Sequence, residues 1–251
     1  MNMIQTMVAI MTFSFGTSAA MAADIKVMSA GAVEPGLEKL AEAFHKTSGH
    51  KVIIKYGTAP QLAKRLAEGE AADILIAPPR VLDDQVKAGK VEADGRVAVG
   101  RVGVGVTVRS KGGPTPSIDT VDALRAALLG ADSIVLNRAS TGLYLDSLFA
   151  KMGIADALKT KATRYDNGAS VLEHVIAGKG NEIGFGAITE IKLFEPKGVR
   201  CIGPLPAEAQ NYTNYSAGMM TGASAVDAAK EFVRYLVTPE AKKVFASTGV
   251  D

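Results

Sequence analysis

The chain has 251 residues, of which 47% are hydrophobic, 22% charged and 6% aromatic, a globular composition too apolar for a disordered chain. Its 28 Lys and Arg against 26 Asp and Glu leave a formal net charge of +2, which excludes the strongly basic footprint of a dedicated nucleic-acid binder. The single cysteine, Cys201, excludes an intramolecular disulfide and a cysteine-rich zinc site.

The first segment reads as an address. Met1 to Ala23 carries no charged side chain, Met7 to Phe15 forms a short apolar core, and Ala20-Met21-Ala22 offers the small residues a signal peptidase reads. The Lys or Arg usual at the start of such a signal is missing. The apolar core falls short of the roughly 20 residues that span a bilayer. Residues 1–22 are therefore expected to be a cleaved signal, and the mature chain a soluble exported protein.

Strand and helix then alternate. Ile25–Met28 reads as a strand, and Leu37, Leu40, Ala41 and Phe44 mark one face of a helix ending near Gly49. Lys51–Tyr56 is a second strand, followed by a helix through Leu62 and Leu66. Asp73–Ala77 has the continuous apolar character of a buried parallel strand. A short helix spans Val81 to Lys87, and a long β-prone stretch from Val97 to Val108 is broken by Gly100, Gly103 and Gly105. The second half repeats the pattern. Helices are predicted over Val121–Leu129, Gly142–Met152 and Val171–Ala177, and strands at Ser133–Leu136, Ile183–Gly186 and Val199–Ile202. Tyr212–Met220 is extended. The end is helical, with Thr238 as cap and Pro239 at the first helical position.

Such alternation implies parallel sheets in an α/β fold. Most catalytic and cofactor signatures are absent. The sequence has no HExxH and no GxSxG, and its three histidines form no metal motif. Gly178-Lys-Gly-Asn181 lacks the spacing and hydroxyl of a P-loop, and Gly100 to Gly105 lies within a strand, where its glycines would ease a bend. No cofactor and no metal are expected.

What the chain offers is loops. In open α/β sheets ligands collect beyond the carboxyl ends of strands, at helix N-termini. Ser29-Ala-Gly31, Tyr56-Gly-Thr58, Asn137 to Gly142 with Ser140 and Thr141, and Tyr165-Asp-Asn167-Gly168 all have that form. Together they could hold an anion through backbone N–H groups and neutral dipoles. Arg80 and Arg138 fall at similar places and could bind carboxylates.

These segments resemble the periplasmic solute-binding proteins of ABC importers, type II fold, in the branch similar to molybdate-binding proteins. The likeness is carried by Ile25 to Ala32, Tyr56 to Ala63, Glu68 to Ala77, Ser140 to Tyr144, Ile183 to Ala187 and Pro239 to Phe245. It implies two lobes, each a mostly parallel sheet flanked by helices, with two crossing strands as hinge. The first lobe would be 24–103 plus 216–251 and the second 104–215. The resemblance places a hydroxyl at Thr58 and backbone donors near Thr141 and Gly168, with Ser29 the nearest hydroxyl after the first strand. With the loop residues above, the expected ligand set is Ser29, Gly31, Thr58, Arg80, Arg138, Ser140, Thr141, Asn167 and Gly168 around a small anion. A family serine falls at Ala32 and a family tyrosine at Ala187, which leaves a roomier site. If Arg80 and Arg138 also face it, the expected ligand is a larger organic anion such as a di- or tricarboxylate, with an oxyanion as the other class and molybdate as the lesser alternative. The implied protein is a periplasmic monomer that hands its ligand to an ABC permease. The branch also includes an aconitate isomerase, and for that activity a proton shuttle among His174, Tyr165, Asp166 and Glu190 would be needed, with none singled out.

Overall fold

A computed structural model describes residues 22–251. All but the last residue of the expected export signal lie outside them.

The first strand, β1 (Asp24–Ala30), buries Ile25 and Val27 and exposes Asp24 and Lys26, the period of two that a half-buried strand requires. After a single 3-10 turn, α1 (Glu34–Ser48) turns Leu37, Leu40 and Phe44 inward and ends on Gly49, whose φ of 77° is the left-handed cap that glycine permits. There follow β2 (Lys51–Gly57), α2 (Ala59–Ala67), β3 (Ile74–Ala77), α3 (Pro79–Lys87) and the long β4 (Val97–Arg109). The second half runs through α4 (Val121–Gly130), β5 (Ser133–Asn137), α5 (Ser140–Lys151), α6 (Ala155–Leu158), β6 (Ala162–Tyr165), α7 (Gly168–Ala177), β7 (Glu182–Ala187), α8 (Ile188–Phe194) and β8 (Val199–Pro204). The chain closes with β9 (Tyr212–Met219), α9 (Val226–Tyr235) and α10 (Pro239–Ser247).

The strands lie in the order β2-β1-β3-β9-β4-β7-β5-β6, with β8 also on β4. β1, β2 and β3 are parallel, as are β5, β6 and β7, so in each half the βα junctions share one end of the sheet. β4 belongs to both halves. Its residues up to Gly103 pair with β9, and those from Val104 pair with β7. The hydrophobic core divides at the same place. Ile25, Phe44, Val102, Phe232 and Phe245 belong to one cluster, and Val104, Leu124, Leu145 and Phe185 to another. This is a two-lobed α/β molecule with β4 and β9 as the crossings.

The glycines of the crossing have separate causes. Gly100 has a φ of 156° at a break in register between Ala98 and Gly100. At Gly105 a side chain would come within 2.9 Å of Ile191 and 3.1 Å of the Ile188 backbone, so glycine lets α8 lie directly on β4. Three elements escape a reading of pattern: α6, β6 and α8. Each is short, and β6 is only half-buried. α8 carries no N-cap side-chain bond that would announce it.

One buried carboxylate braces the first lobe. Asp73 is 1% exposed and accepts hydrogen bonds from Lys26 N at 2.7 Å, Ser224 N at 2.6 Å, Ser224 Oγ at 3.1 Å and Ala225 N at 3.0 Å. It thereby ties β1 and the entry to β3 to the turn before α9. Burial alone would raise its pKa, but these bonds outweigh it and hold the group below the ordinary aspartate value. Such a group stabilises the fold above its unfolded pKa of about 3.9 and loses that contribution as pH falls through the folded value. Asp73→Ala should cost about 3 kcal/mol in urea unfolding at pH 7, since it strands buried N–H groups. The gap between wild type and variant should narrow at pH 3.

Candidate functional site

Five strand-to-helix junctions meet in one place. The segments Ala30–Ala32 after β1, Gly57–Ala59 after β2, Ala139–Thr141 after β5, Gly168 before α7, and Ala187 after β7 all line a small inner pocket of about 40 Å³. Two junctions come from the first lobe and three from the second. A helix start has N–H groups without intrahelical partners and the positive end of the helix dipole, and so favours an anion.

Side chains fix these loops. Asn137 Oδ1 accepts from Ala139 N at 3.0 Å and Gly142 N at 3.1 Å, and any side chain at Gly142 would run into the Asn137 carbonyl. Asn167 Oδ1 caps α7 by accepting from Ser170 N at 2.8 Å. Gln61 Oε1 accepts from Thr58 N at 2.9 Å, within a capping box at the start of α2. Two hydroxyls then join the lobes. Thr58 Oγ1 donates to Asp166 O at 3.3 Å, and the buried Thr189 Oγ1 donates to Ala32 O at 2.6 Å.

The inner pocket opens into a mouth of about 420 Å³ that shares Gly31, Gly57, Thr58, Gly168 and Glu190 with it. The mouth adds Glu34, Tyr56 and Arg65. Arg65 Nη1 donates to Tyr56 O at 3.1 Å. Among the described residues no Lys or Arg lines the inner pocket.

Its one charged group is an acid, Glu190, on the first turn of α8. A side chain on Gly31 would stand 2.7 Å from Glu190 Oε1, and one on Gly168 would meet Oε2 more closely still. The carboxyl is thus seated between one glycine from each lobe. Burial, and then the nearby charge of Glu34, push its pKa up to about 7. Beside it Tyr215, from β9, lines the pocket, and burial followed by the Glu190 charge holds its phenol above the ordinary tyrosine value.

Of the residues predicted to hold the ligand, Gly31, Thr58, Ser140, Thr141 and Gly168 line the inner pocket, and Asn167 lines the mouth. Three stand elsewhere. Ser29 is fully buried and its Oγ donates to Ala30 O at 3.1 Å. Arg80 is exposed on α3, whose start is not among the five that converge. Arg138 forms an ion pair with Asp166 at 3.0 Å on the surface and lines neither cavity. Of the four candidate proton shuttles, Glu190 alone lies in the pocket lining. Tyr165 Oη and His174 Nδ1 share a hydrogen bond at 2.8 Å outside it, and Asp166 is occupied by Arg138. Ala32 and Ala187, where the resemblance would put a serine and a tyrosine, both line the pocket. Tyr215 and Glu34 escaped the sequence reading. Glu34 opens α1 and Tyr215 lies within β9, and composition alone does not mark which such residues face the cleft.

A two-lobed α/β chain whose cleft gathers helix starts from both lobes has the architecture of a type II periplasmic binding protein. The structure superposes on the periplasmic molybdate-binding protein of Azotobacter vinelandii with a TM-score of 0.76 at 18% identity, covering 90% of this chain and 98% of that one. The model of the bacterial extracellular solute-binding protein family matches residues 25–251, and the chain belongs to that family. It is 30% identical over 232 residues to an aconitate isomerase from a Pseudomonas species, covering 90% of this chain and 87% of the relative. It is 24% identical over 233 residues to a putative ABC transporter substrate-binding lipoprotein of Bacillus subtilis, covering 90% and 85% of the two.

The Glu190 environment has a measurable consequence for stability. A carboxyl whose folded pKa is raised gives its full contribution below the unfolded value near 4.3. That contribution is lost progressively as pH rises toward about 7. Glu190→Gln, which cannot ionise, should therefore melt at a higher temperature than wild type at pH 8 and at nearly the same temperature at pH 4.

Proposed function

We propose that this chain is an exported, periplasmic solute-binding protein that captures a small organic anion between its lobes and presents it to an ABC permease. The observation that carries this reading is the convergence of five strand-to-helix junctions, among them the starts of α2, α5 and α7, on a pocket lined, among the described residues, by no basic side chain. Such a site neutralises one anionic group with dipoles and N–H donors. The adjoining mouth, about 420 Å³, leaves room for the rest of an organic ligand. The alanines at 32 and 187 remove hydroxyls that would otherwise surround a tetrahedral oxyanion, and unmade hydrogen bonds to a buried ligand are costly. With Arg80 and Arg138 outside the lining, the negative charge of a polycarboxylate would extend toward Arg65 at the mouth. Ligand contacts from both lobes would favour the closed form. A thermal-shift panel of carboxylates and oxyanions tests this. A ligand present at a hundred times its Kd should add about 2.7 kcal/mol, and Thr141→Pro, which removes a first-turn N–H at α5, should abolish the shift. A panel with no shift at all would sink the reading.

A second reading, isomerisation of aconitate, is favoured by Glu190 and by the relative of that name. A carboxyl with a pKa near 7 can both take and return a proton at neutral pH. In an allylic shift Glu190 would remove the proton from one carbon as the double bond moves, then deliver it to the other end of the allyl system, leaving the substrate formula unchanged. Incubation with cis-aconitate, followed by NMR, should then show the trans isomer, and Glu190→Gln should lower the rate at least about 100-fold. A thermal shift without turnover leaves the transport reading in place.

A further inference from the structure

Resting on the reading of the cleft as an anion site, we propose that it binds its anion together with one proton, held between the ligand and Glu190. Above neutral pH it would therefore select anions that bring a proton donor of their own.

Helix starts aim positive potential at the inner pocket, yet the pocket also contains a carboxyl. That carboxyl lies against both lobes. Its two oxygens sit against Gly31 of one lobe and Gly168 of the other, at positions where any side chain would collide with them. A bare carboxylate facing a bare anion in a desolvated pocket is repulsive, whereas a single shared proton turns the same contact into a short, charge-assisted hydrogen bond. The proton has two possible sources. A fully ionised anion has none, so Glu190 must take one from solvent. A hydroxyl or acid proton on the ligand supplies it directly, and Glu190 then binds as the carboxylate.

The surroundings leave this role to Glu190. Glu34, across from it on α1, adds repulsion and favours the protonated form. Burial, and then the charge of Glu38, raise Glu34 in its turn, while Lys197 pulls it down. Tyr215 keeps its proton throughout the neutral range, because burial and Glu190 both hold it high. Glu173 of α7 and Arg65 of α2 stand at the mouth and not in the inner pocket. The wild-type carboxyl, with its pKa near 7, is poised to be either donor or acceptor at working pH.

The test uses two matched pairs of probes, sulfate with hydrogen phosphate and succinate with malate, titrated calorimetrically into the mature protein from pH 7.5 to 9. In each pair only the second member carries a proton donor across this range. Sulfate and succinate should weaken about tenfold per pH unit, one proton being taken up on binding. Hydrogen phosphate and malate should change less than about twofold, with no uptake. In Glu190→Gln the slopes should vanish, while Glu34→Gln should keep them. Equal slopes for both members of a pair in wild type, or slopes that persist in Glu190→Gln, would overturn the proposal and leave the anion cleft standing. Failure of every probe to bind at any pH would overturn the cleft reading, and the proposal with it.

Discussion

The cleft depends on the convergence of five strand-to-helix junctions on one small space. The starts of α2, α5 and α7 each carry roughly half a positive charge, so gathering them creates a potential that favours an anion. The parallel runs β1-β2-β3 and β5-β6-β7 make the gathering possible, because each puts its strand-to-helix junctions at a single end of the sheet. The crossings along β4 and β9 then turn the two ends toward each other.

One short helix at the cleft does the most to connect structure with chemistry. α8 spans seven residues, lies on β4 where Gly105 leaves space, and sends Thr189 to the Ala32 carbonyl of the other lobe. The same turn carries Glu190 into the pocket. In the proposed closing of the lobes on a ligand, the protonation of Glu190 would be linked to that closure by geometry. The carboxyl touches a glycine from each side, and anything that alters its charge alters the energy of bringing those sides together. Asp73 has the opposite design. It too is buried, but with a hydrogen bond to each side of its carboxylate it stays ionised and serves only the fold.

Much of this was legible in the amino-acid sequence, for physical reasons. The strand-helix alternation is written in periodicity, and the glycines and hydroxyls at Gly31, Thr58, Thr141 and Gly168 mark junctions where the backbone must turn tightly. What periodicity does not carry is the direction of a long side chain. Arg80 and Arg138 follow strands as a ligand residue should, yet one sits on a helix whose start faces elsewhere and the other is drawn to Asp166. α8 is too short to register as a pattern, so Glu190 stood among four equal candidates until the packing of α8 on β4 set it apart. Tyr215 was hidden for a different reason. It lies in a strand predicted only as extended, and which of its faces looks into the cleft depends on its pairing with β4.

The most direct test of the account is a crystal structure of the mature protein with malate bound. The account predicts a carboxylate of the ligand seated on the first-turn N–H groups of α5 and α7, with the malate hydroxyl within hydrogen-bond distance of Glu190. A ligand held by Arg80 or Arg138 outside the pocket, or one that leaves Glu190 untouched, would contradict it.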